Sequence, residues 1–162
     1  MTIIVAADEK WGIGKNNELL VRIPADLKNF KTLTTGNVVV LGRKTLETFP
    51  GKKPLPNRVN IIMSRDSGYA TEGAEVCHST SELLEMVKAY EGKEIFVIGG
   101  GMIYEELLPY CDKAIVTRID KVFDADTYFP DLDGDEAWEI TDTSEEQTLF
   151  DLTYHYVTYK RI

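Results

Sequence analysis

Basic charge is in short supply in this chain: 18 Lys and Arg stand against 27 Asp and Glu, a formal net charge of −9. A nucleic-acid binder needs a basic face for phosphates, and anionic membranes attract basic surfaces, so neither partner is expected. The plain reading of the acidity is solubility; adaptation to a salty host is the alternative. Cysteine is scarce too. Cys77 and Cys111 stand apart, with no CxxC pair and no cluster of histidines, which argues for reduced, partly buried thiols and against a bridge or a metal site. The two histidines, His78 and His155, have no partner motif and read as structural. No apolar run approaches the ~20 residues of a membrane span. Met1 to Ala7 turns acidic at Asp8 without a basic leader, so no signal peptide is expected and the expected compartment is the cytoplasm. Repeats, low-complexity tracts and long Gly/Ser linkers are also missing, and 162 residues suit one domain, 1–162.

What is present is an alternation of apolar β-branched runs with short helical patterns. "TIIVAAD" (Thr2 to Asp8), "NVVVLG" (Asn37 to Gly42), "RVNIIMS" (Arg58 to Ser64), "EIFVIGG" (Glu94 to Gly100) and "KAIVTRID" (Lys113 to Asp120) read as strands. Several are continuously apolar, as strands of a parallel sheet covered on both faces are. Helices are predicted between them. One begins at Pro24 and runs through Leu27, Phe30 and Leu33; another covers Arg43 to Phe49. A third opens on a capping box, Ser79 with Glu82, and a fourth covers Gly101 to Leu108. In the tail, "WEITDT" and "LTYHYVTYKR" look like long antiparallel strands closing one sheet edge. The expected fold is α/β, with helices crossing between strands.

Three familiar site motifs fail on spacing. "GNVVVLGRKT" has five residues between its glycines where a P-loop needs four, and Arg43 follows the second glycine. "GGGMIY" has Tyr104 where GxGxxG needs its third glycine. "DLDGDE" has Glu136 at the glycine position of a calcium loop, so it reads as a solvated acidic turn. Two arrangements keep physical content. Gly99 and Gly100 end a strand just before a helix, where bare backbone can approach a phosphate or can simply make a tight turn. Arg43, Lys44 and Thr45 follow one strand and Ser64 and Arg65 another. In a parallel sheet these ends share an edge and can converge on an anion, though singly each reads as a surface residue.

The segment "LLVRIPADLKNF" (Leu19 to Phe30) places one acid, Asp26, among apolar residues. A carboxylate in the first turn of a helix gains roughly 0.3–1 kcal/mol from the dipole. Burying an ionised group without a partner costs about several kcal/mol. The dipole does not offset that, and only Arg22 is near in sequence, so a ligand that offers N–H donors or positive charge is a candidate for the missing partner; for an isolated acid the helix dipole alone is the plain alternative.

These residues carry a resemblance. "IVAADEKWGIGKNNEL", "IPADLKNFK", "VVLGRKTLETF", "PLPNRVNIIMS", "VIGGGMIYEELLP", "VTRID" and "ADTYFP" occur in the order and spacing of bacterial dihydrofolate reductases, over nearly the whole chain. The resemblance implies a predominantly parallel eight-stranded sheet with an antiparallel C-terminal edge strand and helices on both faces. It implies NADPH-dependent reduction of 7,8-dihydrofolate to tetrahydrofolate, with hydride transfer to pterin C6 and protonation of N5. That activity supports one-carbon metabolism and thymidylate synthesis. It implies antifolates as further small-molecule partners, no metal, and a monomer.

Residue roles follow from it by position. Asp26, Thr117 and Leu19 match the family's catalytic positions, with Asp26 pairing the pterin and Thr117 bonded to the acid. Ile4, Ala6, Leu27, Phe30, Lys31, Phe49, Leu55 and Ile98 match substrate contacts, and Arg58 matches the reader of the folate α-carboxylate, a bidentate task. Ala6, Ile13, Gly42, Arg43, Lys44, Thr45, Ser64, Arg65, Ile98, Gly99, Gly100, Gly101, Met102, Ile103, Tyr104 and Thr127 match cofactor positions. The family has a cis Gly–Gly bond in that glycine turn. Glu9 to Leu19 matches the mobile loop over the nicotinamide. Departures stand out: Leu20-Val21 replaces Pro-Trp, Ala125 replaces a glycine, and Met102 replaces a residue that is often basic. Trp11 is either a shield over the site or a loop aromatic packed on the surface. Two other readings remain at this point: a sister-fold reductase of riboflavin synthesis, and a binding module whose chemistry has decayed. The Asp26 segment and Arg58 count against the first; Leu20 and Val21 are the only support for the second, and Asp26, Thr117 and the glycine turn count against it.

Overall fold

β-branched runs dominate the middle of the molecule because a pleated surface packs such side chains well. The structure, a computed structural model, describes residues 1–162. Five long strands form the centre of its main sheet: β1 (Thr2–Ala7), β3 (Val38–Gly42), β4 (Val59–Met63), β6 (Ile95–Gly99) and β7 (Lys113–Ile119). Each lies within a stretch predicted as strand. They run parallel to one another in the order β7-β1-β6-β3-β4.

Three short strands carry no pattern that sequence reading detects. They are β2 (Gly12–Gly14), β5 (Glu75–Cys77) and β8 (Thr127–Tyr128). β5 extends the parallel sheet beyond β4, whereas β2 and β8 pair only with each other, in a separate antiparallel ladder. The tail supplies the antiparallel edge: β11 (Leu152–Arg161) pairs with β7. Beyond it, β9 (Trp138–Thr143) and β10 (Gln147–Leu149) pair with successive parts of β11 and share the outermost place. The main sheet thus has eight positions, with the interrupted β9–β10 stretch at one edge and β5 at the other.

Side-chain alternation explains why β3 is buried throughout. Val38 and Val40 point into one core, with Ile3, Ile61, Val97 and Val116, while Val39 and Leu41 point into the other, with Leu46, Ile62 and Phe96. Helices cover both faces: α1 (Pro24–Thr34), α2 (Arg43–Glu47), α3 (Thr80–Met86) and α4 (Gly101–Leu107). α1 differs from the rest, since its one buried residue is the polar Thr34, whereas α2 buries Leu46, α3 buries Leu83 and α4 buries Tyr104 and Leu107. Its apolar residues Leu27 and Phe30 have no complete protein partner and line a cleft instead.

Trp11 resolves to neither of its two sequence readings. It is buried at 5% exposure, with its ring near Phe129 and Tyr159 and the Arg118 guanidinium 3.8 Å from the ring centroid. The acidic turn is as read: the Asp131 carboxylate accepts from the Asp133 and Gly134 N–H groups.

Candidate active site

Proline at the first helical position and an extended Ile23 start α1, and this places Asp26 in the first turn. From β7, ninety-one positions later in the chain, the buried Thr117 hydroxyl donates to Asp26 Oδ1 at 2.7 Å. The carboxylate makes no other hydrogen bond and no ion pair within the chain; Arg22 is exposed and unpaired. Burial pushes the Asp26 carboxyl above its ordinary pKa, and the Thr117 hydroxyl pulls part of the way back.

Asp26 lies on the wall of a cleft of ≈ 1170 Å³. That exceeds the roughly 300–1,000 Å³ of a typical single-ligand pocket, so the cleft has room beyond one small ligand. Ile4 and Ala6 from β1, Leu27 and Phe30 from α1, Phe49, Leu55 and Ile98 make its apolar walls. Tyr104 closes the floor, with its hydroxyl donating to the Ile4 carbonyl at 2.7 Å. Its full burial pushes the phenol far above its ordinary pKa and keeps it a donor. Arg58 stands beyond Leu55, its guanidinium donating to the Pro56 carbonyl at 2.8 Å and to the Thr34 hydroxyl at 3.2 Å. No carboxylate of the chain pairs with it.

The other half of the cleft collects the C-terminal ends of the parallel strands. Arg43, Lys44 and Thr45 follow β3, Ser64 and Arg65 follow β4, and Gly99, Gly100 and Gly101 follow β6. None of the three cations has an acidic partner. The glycine turn is tight: a Cβ on Gly101 would lie 2.6 Å from Thr127 Cγ2, and one on Gly100 would lie 3.2 Å from Thr45 Oγ1. The Gly99–Gly100 peptide is cis. Unpaired cations beside bare backbone at a sheet's C-terminal edge suit a ligand that carries phosphates.

A family profile described as dihydrofolate reductase matches residues 1–161. The chain belongs to the dihydrofolate reductase family. The Staphylococcus haemolyticus dihydrofolate reductase is 35% identical over 165 residues, covering 100% of this chain and 96% of that one. The Bacillus subtilis enzyme of the same name is 34% identical over 165 residues, covering 99% and 94%. Among solved structures, a dihydrofolate reductase from Enterococcus faecalis complexed with NADP(H) and RAB-propyl matches with a TM-score of 0.85 and 38% identity, covering 99% of this chain and 95% of that one.

All the catalytic, substrate and cofactor positions carried over from the dihydrofolate reductase resemblance face this one cleft, including Ile13, Leu19, Lys31, Gly42, Met102, Ile103 and Thr127. Leu19, 51% exposed, lies at its margin. Where the family commonly has Pro-Trp, only Val21 of the Leu20-Val21 pair reaches the cleft. Ala125 keeps a negative φ and meets the bare face of Gly12, where a Cβ would lie 2.8 Å from Ala125 Cβ.

Sequence reading missed two features. His78 lines the cleft, its Nδ1 2.8 Å from the Ser64 carbonyl. Pairing of Met63 with Cys77 puts residues 64 and 78 side by side, and a three-residue β5 advertises nothing of the kind in sequence. Asp8 is the second. It is 1% exposed, and its carboxylate accepts from the N–H groups of Lys10, Gly12 and Phe123 at 2.8–2.9 Å. With Asp126, which accepts from the Asn16 N–H at 3.0 Å, it ties the 9–19 loop to the 123–128 segment.

Proposed function

We propose that this protein reduces 7,8-dihydrofolate to 5,6,7,8-tetrahydrofolate with NADPH, as one domain spanning residues 1–162, acting as a monomer in the cytoplasm. The observation that carries the reading is Asp26: a half-buried carboxylate with a single hydroxyl partner, set in a cleft larger than a typical single-ligand pocket.

Asp26 accepts two parallel hydrogen bonds from the pterin 2-amino group and N3, which supplies the partner the chain withholds. Thr117 fixes the carboxylate's orientation through its 2.7 Å bond. Ile4, Ala6, Leu27, Phe30, Phe49 and Ile98 exclude water around this pairing and strengthen it. The negative charge of Asp26 favours the pterin protonated at N5, with water carrying the proton. Leu19 helps cover the reacting region. Arg58 reads the α-carboxylate of the substrate's glutamate. Arg43, Lys44, Thr45, Ser64 and Arg65 hold the cofactor's phosphates, and the Gly99–Gly101 turn lets backbone approach the pyrophosphate. When bound, NADPH supplies the hydride. Antifolates that imitate the pterin's donor edge occupy the same place.

The test is direct. Protein, NADPH and dihydrofolate are mixed and the loss of reduced-nicotinamide absorbance is followed. Turnover that needs both ligands supports the reading. Folded protein that binds both and turns over neither overturns it in favour of a binding module.

A further inference from the structure

The 9–19 loop leaves the sheet after Ala7 and reaches the cleft through Ile13, Gly14 and the stretch from Asn16 to Leu19. Its root is strained. Trp11 has a φ of 64°, a left-handed conformation that a bulky aromatic residue rarely adopts and that persists only where the surroundings hold it. Here they do. The Trp11 N–H donates to the Asp8 carbonyl at 3.0 Å, and the Trp11 carbonyl accepts from the Phe129 N–H at 2.8 Å. The indole is buried against Phe129 and Tyr159, and the Arg118 guanidinium lies over it. The same guanidinium donates to the Asp8 and Glu9 carbonyls, at 3.3 Å each.

Arg118 is itself held. Its Nη1 donates to Asp133 Oδ2 at 2.8 Å, and Asp133 Oδ1 accepts from the Tyr159 hydroxyl at 2.7 Å. The acidic turn closed by the Asp131 carboxylate presents Asp133. The Arg118 side chain keeps only 17% exposure. A planar fork of donors can stack on an indole and serve a carboxylate and two carbonyls together; the compact ammonium of a lysine cannot. On β7 Arg118 directly follows Thr117, and successive residues of a strand face opposite sides of the sheet. Thr117 thus holds Asp26 from one side, and Arg118 holds the root of the loop from the other.

We infer that Arg118, fixed by Asp133 and Tyr159, is a positioning residue for hydride transfer: by clamping Trp11 and the Asp8 and Glu9 carbonyls, it sets where Ile13 to Leu19 stand over the cleft. The inference rests on the proposed function. In that chemistry the protein supplies orientation and the exclusion of water, and a loop displaced at its root loses both. A misplacement of about 1 Å is enough to slow a reaction by up to ~100-fold. The cations assigned to the phosphates, and Arg58, lie on other elements, so ligand affinity is largely spared.

NADPH carrying deuterium at the transferred position identifies the hydride step in single turnovers at saturating ligands, and calorimetry gives the affinities for NADP⁺ and folate. Arg118→Gln slows the isotope-sensitive step about 10-fold, while both affinities change by less than about 3-fold. Arg118→Lys keeps the charge and recovers little of the rate. Asp133→Asn slows the step several-fold, and adding it to Arg118→Gln slows it no further, since the pair acts as one unit. Leu83→Ala, in the core under α3 and away from the cleft, controls for stability: it lowers the melting temperature and leaves the step unchanged. An unchanged step in folded Arg118→Gln overturns the inference, as does a rate that Arg118→Lys fully restores or that Leu83→Ala slows equally. Should Arg118→Gln fail to fold, Asp133→Asn decides, because it leaves the guanidinium in place, and an unchanged step there overturns the inference. With a parent protein that turns over, these results sink the inference alone; a parent that binds both ligands without turnover overturns the proposed function, and the inference with it.

Discussion

Asp26 is kept half buried at a cost, and its pH behaviour follows from the cause. Burial raises its pKa in the folded state above the unfolded value. A proton is therefore held more tightly by the native form, and the associated stability is present at low pH and lost as pH rises through the raised folded value. Asp26→Asn removes that loss. The variant is expected to melt higher than the parent at neutral pH in the absence of ligands, and the gap should close in acid; thermal denaturation at several pH values checks this. Its turnover should fall about 100-fold or more at neutral pH, because the charge that favours N5 protonation is gone. The deficit should shrink as pH falls and solvent supplies the proton. A turnover deficit independent of pH counts against the assigned role. Arg58 offers a second residue-scale expectation. Arg58→Ala should weaken folate about 10-fold or more, since a charge-assisted bidentate pair is lost, while leaving small antifolates without a carboxylate tail nearly unaffected. Competitive binding of the two ligand types measures the difference.

At the scale of elements, α1 shows how a site departs from ordinary folding rules. Its apolar face is aimed at a cleft, and Leu27 remains 40% exposed. α3 behaves conventionally at its start: the Ser79 side chain accepts from the Glu82 N–H at 3.1 Å. The reciprocal half of the predicted capping box is displaced by one residue, because the Glu82 carboxylate accepts from the His78 N–H. The 9–19 loop depends on Asp8, whose three backbone donors include Gly12 from its own loop and Phe123 from a distant one. Asp8→Ala leaves these buried N–H groups without partners. The expected loss is about 2–3 kcal/mol of stability, read by chemical denaturation. Hydrogen exchange should accelerate at Gly12 and Phe123 before the main sheet is affected. Unchanged protection at both amides contradicts the role given to Asp8.

For the whole molecule, the two thiols report integrity. Cys77, in β5, and Cys111, just before β7, are buried in the larger core, and burial pushes their pKa values up to about 12 and about 11. The thiolate is the reactive form, so neither should react with a disulfide reagent while the protein is folded. Both should react together at the rate of global unfolding, and a folate analogue with NADP⁺ should slow them equally. Rapid labelling of either in the native protein contradicts the burial. No helix is long and apolar enough to cross a membrane.

The long parallel strands were legible because continuous apolar runs such as "VVVLG" suit only an element buried on both faces. α1 was legible from Pro24 and its apolar spacing, and Asp26 from the cost of an acid among hydrophobic neighbours. Strands of two or three residues, β2, β5 and β8, were not, because so short a stretch has no period and exists only through its partner. The approach of Thr117 to Asp26, the place of His78 beside Ser64 and the reach of Asp8 to Phe123 had the same character, each created by pairing or packing of distant segments. Local pattern thus settled which elements form and where one anomalous charge lies. Tertiary structure alone decided which side chains meet that charge, because hydrogen bonds and burial depend on distances in space that residue order does not contain.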